Sequence, residues 1–257
     1  MYLPSPMDTT KLCPVCADTG WKAIGAGRDR RVTRCDCRRQ ERNQNLLQQA
    51  RIPKRYEHCE LSNFVAHNPL LARAKKVAEK FVESYPVEKM GLLLIGPIGV
   101  GKTHLAAGIA RELILTKGIQ CVFCDYRVLL KQIQDTYGPQ SQQSELQVLQ
   151  PLLDTEVLVL DELGALTPTE WVQETVTRII NARYSDAKTT IVTTNFADAP
   201  PAKSPIEAHP DQSRAKQANV EETLGDRVGE RVRSRLHEMC LSVPMNGDDY
   251  RPRKGKP

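Results

Sequence analysis

The chain has 257 residues, room for one large domain or for a domain with a smaller module, at about 100 to 200 residues per domain. Hydrophobic residues make up 40% and charged residues 26%, which fits a globular protein and excludes collagen-like, disordered and rod-like chains. The longest apolar stretch, around Leu92 to Ile95, falls well short of the roughly 20 residues needed to cross a bilayer, so no membrane segment is expected.

Formal net charge is +5, and all of it comes from the first 60 residues, which hold 12 Lys/Arg against 7 Asp/Glu; the remainder holds 24 of each. The basic residues are densest from Arg28 to Arg55, and a small tail follows with Arg251, Arg253, Lys254 and Lys256. Phosphate backbones are plausible partners for such a surface, although a solvated face explains the charge equally well. The opening Met1 to Asp8 has neither a basic stretch nor an apolar one, so secretion is not expected and a cytoplasmic location is.

Taken in chain order, the first feature is a cysteine cluster. Of eight cysteines, Cys13, Cys16, Cys35 and Cys37 fall within the first 37 positions, and paired cysteines in a cytosolic chain more often hold a metal or do redox work than form disulfides. Cys13-Pro14-Val15-Cys16 has knuckle spacing and Cys35-Asp36-Cys37 completes a four-thiolate set suited to tetrahedral zinc. The second pair is tighter than in most zinc ribbons, and His58 or Cys59 is an alternative ligand. A redox CxxC is the competing reading; no thioredoxin-type strand and helix pattern surrounds Cys13, and a segment this poor in large apolar residues needs a metal to fold. Cys121, Cys124 and Cys240 lie in apolar runs and read as core residues.

The stretch Arg38 to Arg51 reads as a short helix or a linker, so a head is expected over residues 1–55 and a second domain over 56–257. Leu70, Leu71, Ala74, Val77, Ala78, Phe81 and Val82 recur at helical spacing from Pro69 to Tyr85. Met90 to Ile95 is then a continuous apolar run, as in a strand buried on both faces of a parallel sheet. Further elements follow: a helix from Thr103 to Lys117 ended by Gly118, a strand from Ile119 to Cys124, and a helix capped by Asp125 through Tyr137. Glu145 to Leu153 reads as a helix, Glu156 to Leu160 as a strand, and Thr167-Pro168-Thr169-Glu170 as a capping box opening a helix to Tyr184. A strand over Thr189 to Thr194, a mobile Ala197 to Asn219 loop, a last helix from Val220 to Met239 and a short strand from Leu241 to Val243 complete the chain. This alternation gives an α/β domain with a parallel sheet sandwiched by helices.

Gly96-Pro97-Ile98-Gly99-Val100-Gly101-Lys102-Thr103 matches G-x-x-x-x-G-K-[ST] between an expected strand and an expected helix. Its glycines let backbone N–H groups curl around phosphates, Lys102 reaches the outer phosphates, and the Thr103 hydroxyl can ligate Mg2+. His104, next in sequence, joins the expected nucleotide-binding set. Val157 to Asp161-Glu162 supplies an apolar strand ending in two carboxylates at the edge where open parallel sheets bind ligands. Asp161 is expected in the Mg2+ shell and Glu162 as the group that polarises the attacking water. Asn195, at a neighbouring strand end, can bond that water or the outermost phosphate, or simply cap a turn.

The phosphate loop, Asp161-Glu162, Asn195, the stretch Arg231-Val-Arg-Ser-Arg-Leu-His-Glu-Met-Cys240 and the closing Asp248-Asp249-Tyr250-Arg251 together resemble the DnaC/DnaI/IstB group of AAA+ P-loop ATPases. The cysteine cluster with Thr19-Gly20-Trp21 resembles the zinc-bearing head of DnaI-like and phage-type helicase loaders. This resemblance implies that Arg235, with Arg231 as the alternative, is an arginine finger completing a neighbouring subunit's site, and that Arg251 contacts phosphate within its own subunit. It also implies an extra helix in the Asp125 to Leu153 segment lining a channel for single-stranded DNA. Arg127 and Lys131 are its candidate phosphate contacts, and Tyr126 and Tyr137 its only aromatics.

The function implied is ATP-dependent loading of a DnaB-like replicative helicase onto single-stranded DNA, with ATP, Mg2+ and Zn2+ as cofactors, self-assembly, and slow hydrolysis stimulated by DNA or assembly. The alternative is an IstB-type transposition helper acting on duplex DNA, against which the cysteine head argues. A pure ATP sensor is disfavoured by Glu162. A protein unfoldase is disfavoured by the lack of an aromatic-apolar-Gly loop between the phosphate loop and Asp161.

Overall fold

The computed structural model describes residues 13–25, 29–138, 141, 143–198 and 222–250. A hairpin of β1 (Trp21–Ile24) and β2 (Arg31–Arg34) is followed by α1 (Asp36–Gln49), α2 (Pro69–Ser84), β3 (Gly91–Ile95) and α3 (Lys102–Glu112). Next come β4 (Cys121–Asp125), α4 (Tyr126–Asp135), α5 (Glu145–Asp154), β5 (Val157–Asp161), α6 (Glu170–Ser185) and β6 (Thr189–Thr194). The last elements are α7 (Leu224–Val228), α8 (Glu230–Met239) and β7 (Cys240–Pro244). Strands 3 to 7 form one parallel sheet in the order β4-β5-β6-β3-β7.

Alternation along the strands divides the core in two. Leu92, Leu94, Val157, Val159, Cys121 and Phe123 pack with α2 and α3 on one face. Leu93, Leu158, Leu160 and Val122 pack with α4 to α8 on the other. Cys121 and Cys124 accordingly join opposite layers, and Cys240 is buried. Among the described residues no helix is long and apolar enough to cross a membrane.

The polar stretch after the cysteines is a 14-residue helix, α1. It docks on the α/β domain: Asn43 Nδ2 donates to the Leu115 carbonyl at 2.8 Å, Arg42 donates to the Gly118 carbonyl at 3.2 Å, and the Phe123 N–H on the free edge of β4 donates to the Ala50 carbonyl at 2.7 Å. That contact covers an edge strand's open hydrogen-bonding groups.

Two local expectations are corrected. Thr169, not Thr167, caps α6: its Oγ1 accepts the Val172 N–H at 3.3 Å, and Pro168 stays outside the helix. The last helix is two helices, broken at Gly229, whose left-handed φ of 88° ends α7. The loop expected from Ala197 to Asn219 lies largely outside the described residues, as does Arg251.

Arg183 at the end of α6 is fully buried and unites the sheet's entry edge. It donates to Thr190 Oγ1 and to the carbonyls of Leu152, Thr155, Glu156 and Thr189. Burial lowers its guanidinium to about 10, because desolvation penalises the charged form.

Candidate nucleotide site

Chain leaving β3 turns through Gly96–Gly101 and enters α3 at Lys102. Gly99 and Gly101 have left-handed φ of 84° and 94°, conformations that L side chains rarely adopt. A Cβ at Gly101 would also lie 2.6 Å from the Phe64 ring. Val100 is buried under the loop and Ile98 is exposed at its tip. Lys102 is buried, and its Nζ donates to the carbonyls of Gly96 and Pro97 and to Asn195 Oδ1, each at 2.7 Å. The strand end of β6 and the phosphate loop thus meet at one ammonium.

Asp161, at the end of β5, is 4% exposed. Thr103 Oγ1 lies 3.0 and 3.2 Å from its carboxylate oxygens, and Thr193 Oγ1 donates to Oδ1 at 2.6 Å. Burial pushes the Asp161 carboxyl up to about 6, with the two hydroxyls acting in the opposite direction. A carboxylate and a hydroxyl converging beside a phosphate loop form a hard oxygen donor set that fits Mg2+.

Glu162 has a left-handed φ of 59°. Its N–H donates to Thr193 Oγ1 at 2.9 Å, and its Oε2 pairs with Arg127 Nη2 at 2.8 Å. Sequence reasoning missed both partners. Arg127 opens α4 two residues beyond β4, next to β5 in the sheet, so strand order rather than spacing brings it to Glu162. Tyr126, one of the two aromatics of this segment, is buried in the core. Tyr137 instead meets Trp171 of α6 edge to face at 6.4 Å, and Lys131 pairs with Asp135 at 2.7 Å.

His104 faces the segment before α2: its Nε2 lies 2.8 Å from Asn63 Oδ1 and 3.0 Å from the Glu60 carbonyl. The closing Asp248-Asp249-Tyr250 segment lies on the phosphate loop, where the Tyr250 N–H donates to the Gly99 carbonyl at 3.2 Å. The Asp249 carboxylate leaves no room for a Cβ at Gly99. Arg235, on α8, rests over the Tyr184 ring at 5.6 Å, and its Nη1 is buried without a hydrogen-bond partner among the described residues. Arg231 is exposed.

In the head, Cys13 and Cys16 lie in the turn before β1, Cys35 occupies the position just before α1 and Cys37 stands in its first turn. The four Sγ atoms lie within 4.8 Å of one another, with Cys13 to Cys35 at 3.8 Å and Cys16 to Cys37 at 3.4 Å. Tetrahedral zinc with Zn–S bonds of about 2.3 Å calls for sulfur separations of about 3.8 Å, so the set fits that metal. Cys59 is packed in the main core, away from it.

The family of IstB-like ATP binding proteins matches residues 29–199, about two thirds of the chain. The chain belongs to this family. The replicative helicase loader DnaC of Escherichia coli (strain K12) is 27% identical over 213 residues, covering 82% of this chain and 76% of that protein. YqaM of Bacillus subtilis (strain 168) is 22% identical over 251 residues, covering 93% and 69%. Among solved structures, the DnaC helicase loader superposes with a TM-score of 0.60 at 29% identity, over 75% of this chain and 99% of that one. DnaI superposes at 0.57 and 23% identity, over 77% and 94%, a likeness of fold. This IstB-like chain is therefore an ATP-binding protein with an AAA+-type ATPase domain, and ATP and Mg2+ are the family's cofactors.

Proposed function

We propose that this chain is an ATP-dependent loader of the replicative DNA helicase onto single-stranded DNA. The observation that carries the proposal is the similarity to the helicase loader DnaC over 82% of the chain, with the phosphate loop, Asp161, Glu162 and Asn195 gathered at one sheet edge.

In this reading residues 1–55 form a zinc-bound head that grips the helicase, and residues 56–257 form the ATPase. Thr103 and Asp161 would hold Mg2+, which when bound would supply neutralisation of the charge developing on the phosphates. Lys102 exchanges its carbonyl partners for phosphate oxygens, and Asn195, already on Lys102, turns its amide toward the outermost phosphate or the attacking water. Glu162 accepts the proton as a water oxygen bonds to the terminal phosphorus and the bond to the ADP oxygen breaks. Phosphoryl transfer needs this positioning and charge neutralisation more than covalent help. Arg235 completes the site of a neighbouring subunit and Arg251 contacts phosphate in its own, so turnover is slow in isolation and rises with DNA and assembly.

A loading assay tests this reading. The partner helicase, unable by itself to enter a single-stranded circle coated with single-strand-binding protein, should unwind an annealed oligonucleotide when this chain and ATP are added, and fail with Lys102→Ala. Unwinding that ignores this chain, together with binding of the chain to duplex DNA, would favour the transposition helper instead.

A further inference from the structure

We infer that Arg227 is a positioning residue for hydrolysis, fixing Glu162 from behind by clamping the loop that follows it. The inference rests on the reading of Glu162 as the group that takes the proton from water.

Glu162 holds a left-handed backbone conformation that a residue with a side chain keeps only when its surroundings over-determine it. On one side the determinants come from β6: Thr193 Oγ1 accepts the Glu162 N–H, and the Thr193 carbonyl accepts the Leu163 N–H at 2.9 Å. On the other side the chain turns at once, the Ala165 N–H donating to the Glu162 carbonyl at 3.1 Å. The carbonyls that follow, of Gly164 and Leu166, accept from one side chain: Arg227 donates to them through Nε and Nη2, both at 2.8 Å.

Its third nitrogen, Nη1, pairs with Glu222 at 2.6 Å, and the guanidinium lies 4.6 Å over the Phe196 ring, next in sequence to Asn195. The side chain is only 11% exposed. Gly164 has a left-handed φ of 85°, and a Cβ there would press on Arg227 Cβ at 3.1 Å and on Phe196 at 3.2 Å, so loop, ring and arginine pack as one unit.

A fork of fixed N–H donors can hold two carbonyls at once, which a lysine ammonium does less well. Arg227 also sits on α7, which the Leu224 N–H ties to the Ala197 carbonyl at 2.8 Å and which runs through Gly229 into the helix bearing Arg235. One guanidinium therefore joins the Glu162 loop, the Asn195 strand end and the finger helix. Among the described residues Arg227 bonds to Gly164, Leu166 and Glu222 and lies over Phe196, none of them in the phosphate loop, so ATP binding should not depend on it.

The test uses the full chain with helicase and single-stranded DNA, carrying Arg227→Met, Arg227→Lys, Glu162→Gln, or Arg227→Met with Glu162→Gln. Turnover, affinity for a fluorescent ATP analogue and thermal midpoint are read for each. The inference predicts a tenfold or greater fall in turnover for Arg227→Met with ATP affinity within about twofold, a smaller fall for Arg227→Lys, and no further loss when Arg227→Met is added to Glu162→Gln.

Unchanged turnover, an equal fall in ATP affinity, or losses that multiply in the double variant would overturn it. Should Arg227→Met fail to fold, the same three readings on Arg227→Lys decide the matter. If Glu162→Gln leaves turnover intact, the hydrolysis reading itself fails, an outcome distinct from a normal Arg227→Met.

Discussion

Arg127, at the start of α4, holds the Glu162 carboxylate at 2.8 Å across the ends of β4 and β5. In the proposed mechanism this carboxylate takes the proton of the attacking water, and the guanidinium occupies one of its oxygens. The pair is about half exposed, and such pairs are worth roughly 0.2 to 1 kcal/mol, so it opens readily. Removing the cation with Arg127→Ala should raise basal ATP turnover about two- to fivefold and shrink stimulation by DNA. A fall in basal turnover would mean that Arg127 orients Glu162 rather than restrains it.

Asp161 makes the stability of the nucleotide-free protein depend on pH. Its folded pKa of about 6 lies above the unfolded value of roughly 3.9, so folding favours the protonated form. The penalty of ionising it is absent below pH of about 4, develops between about 4 and 6, and is complete above. Asp161→Asn should therefore stabilise the nucleotide-free chain at pH 7 by about 1 to 3 kcal/mol and lose that advantage toward pH 4. The same substitution should abolish Mg2+-dependent tightening of ATP binding. Denaturant melts at both pH values check the sign, and destabilisation at pH 7 would contradict it.

The zinc proposed for the four-thiolate set should be separable from ATP binding. Metal analysis should return about one zinc per chain, and Cys13→Ser with Cys16→Ser should remove it and open the hairpin β1-β2 to protease. The four-thiolate set lies apart from the nucleotide loop in the chain, and α1 is anchored independently by Asn43 and Ala50. Affinity for ATP should therefore change less than about twofold. A native, metal-free head would rule out the assignment.

Arg235 acts between subunits in this account. Arg235→Ala and Lys102→Ala should each be inactive alone. Mixed, they should regain activity, because the second supplies an intact finger to the intact site of the first. Absence of any recovery in mixtures that still co-assemble would remove Arg235 from the site.

The parts legible in the sequence are those fixed by local backbone demands. Left-handed glycines at 99 and 101 and apolar strands such as Leu92 to Ile95 announce the loop and its setting. The break at Gly229 is hidden because Val228, Val232 and Leu236, all buried, keep helical spacing across it. Arg127, Thr193 and Arg227 reach Glu162 or its loop over 31 to 63 residues of sequence, and only strand order and the docking of α7 bring them together. Arg227 is further masked by the near repeat of Leu224-Gly-Asp-Arg227 in Val228-Gly-Glu-Arg231.

Co-elution of the chain with the replicative helicase, run with ATP, with ADP and without nucleotide, tests the central claim most directly. The account predicts a complex that changes with nucleotide, needs residues 1–55 with their zinc, and is prolonged by Glu162→Gln. Absence of a complex under every condition, with duplex DNA bound in its place, would contradict it.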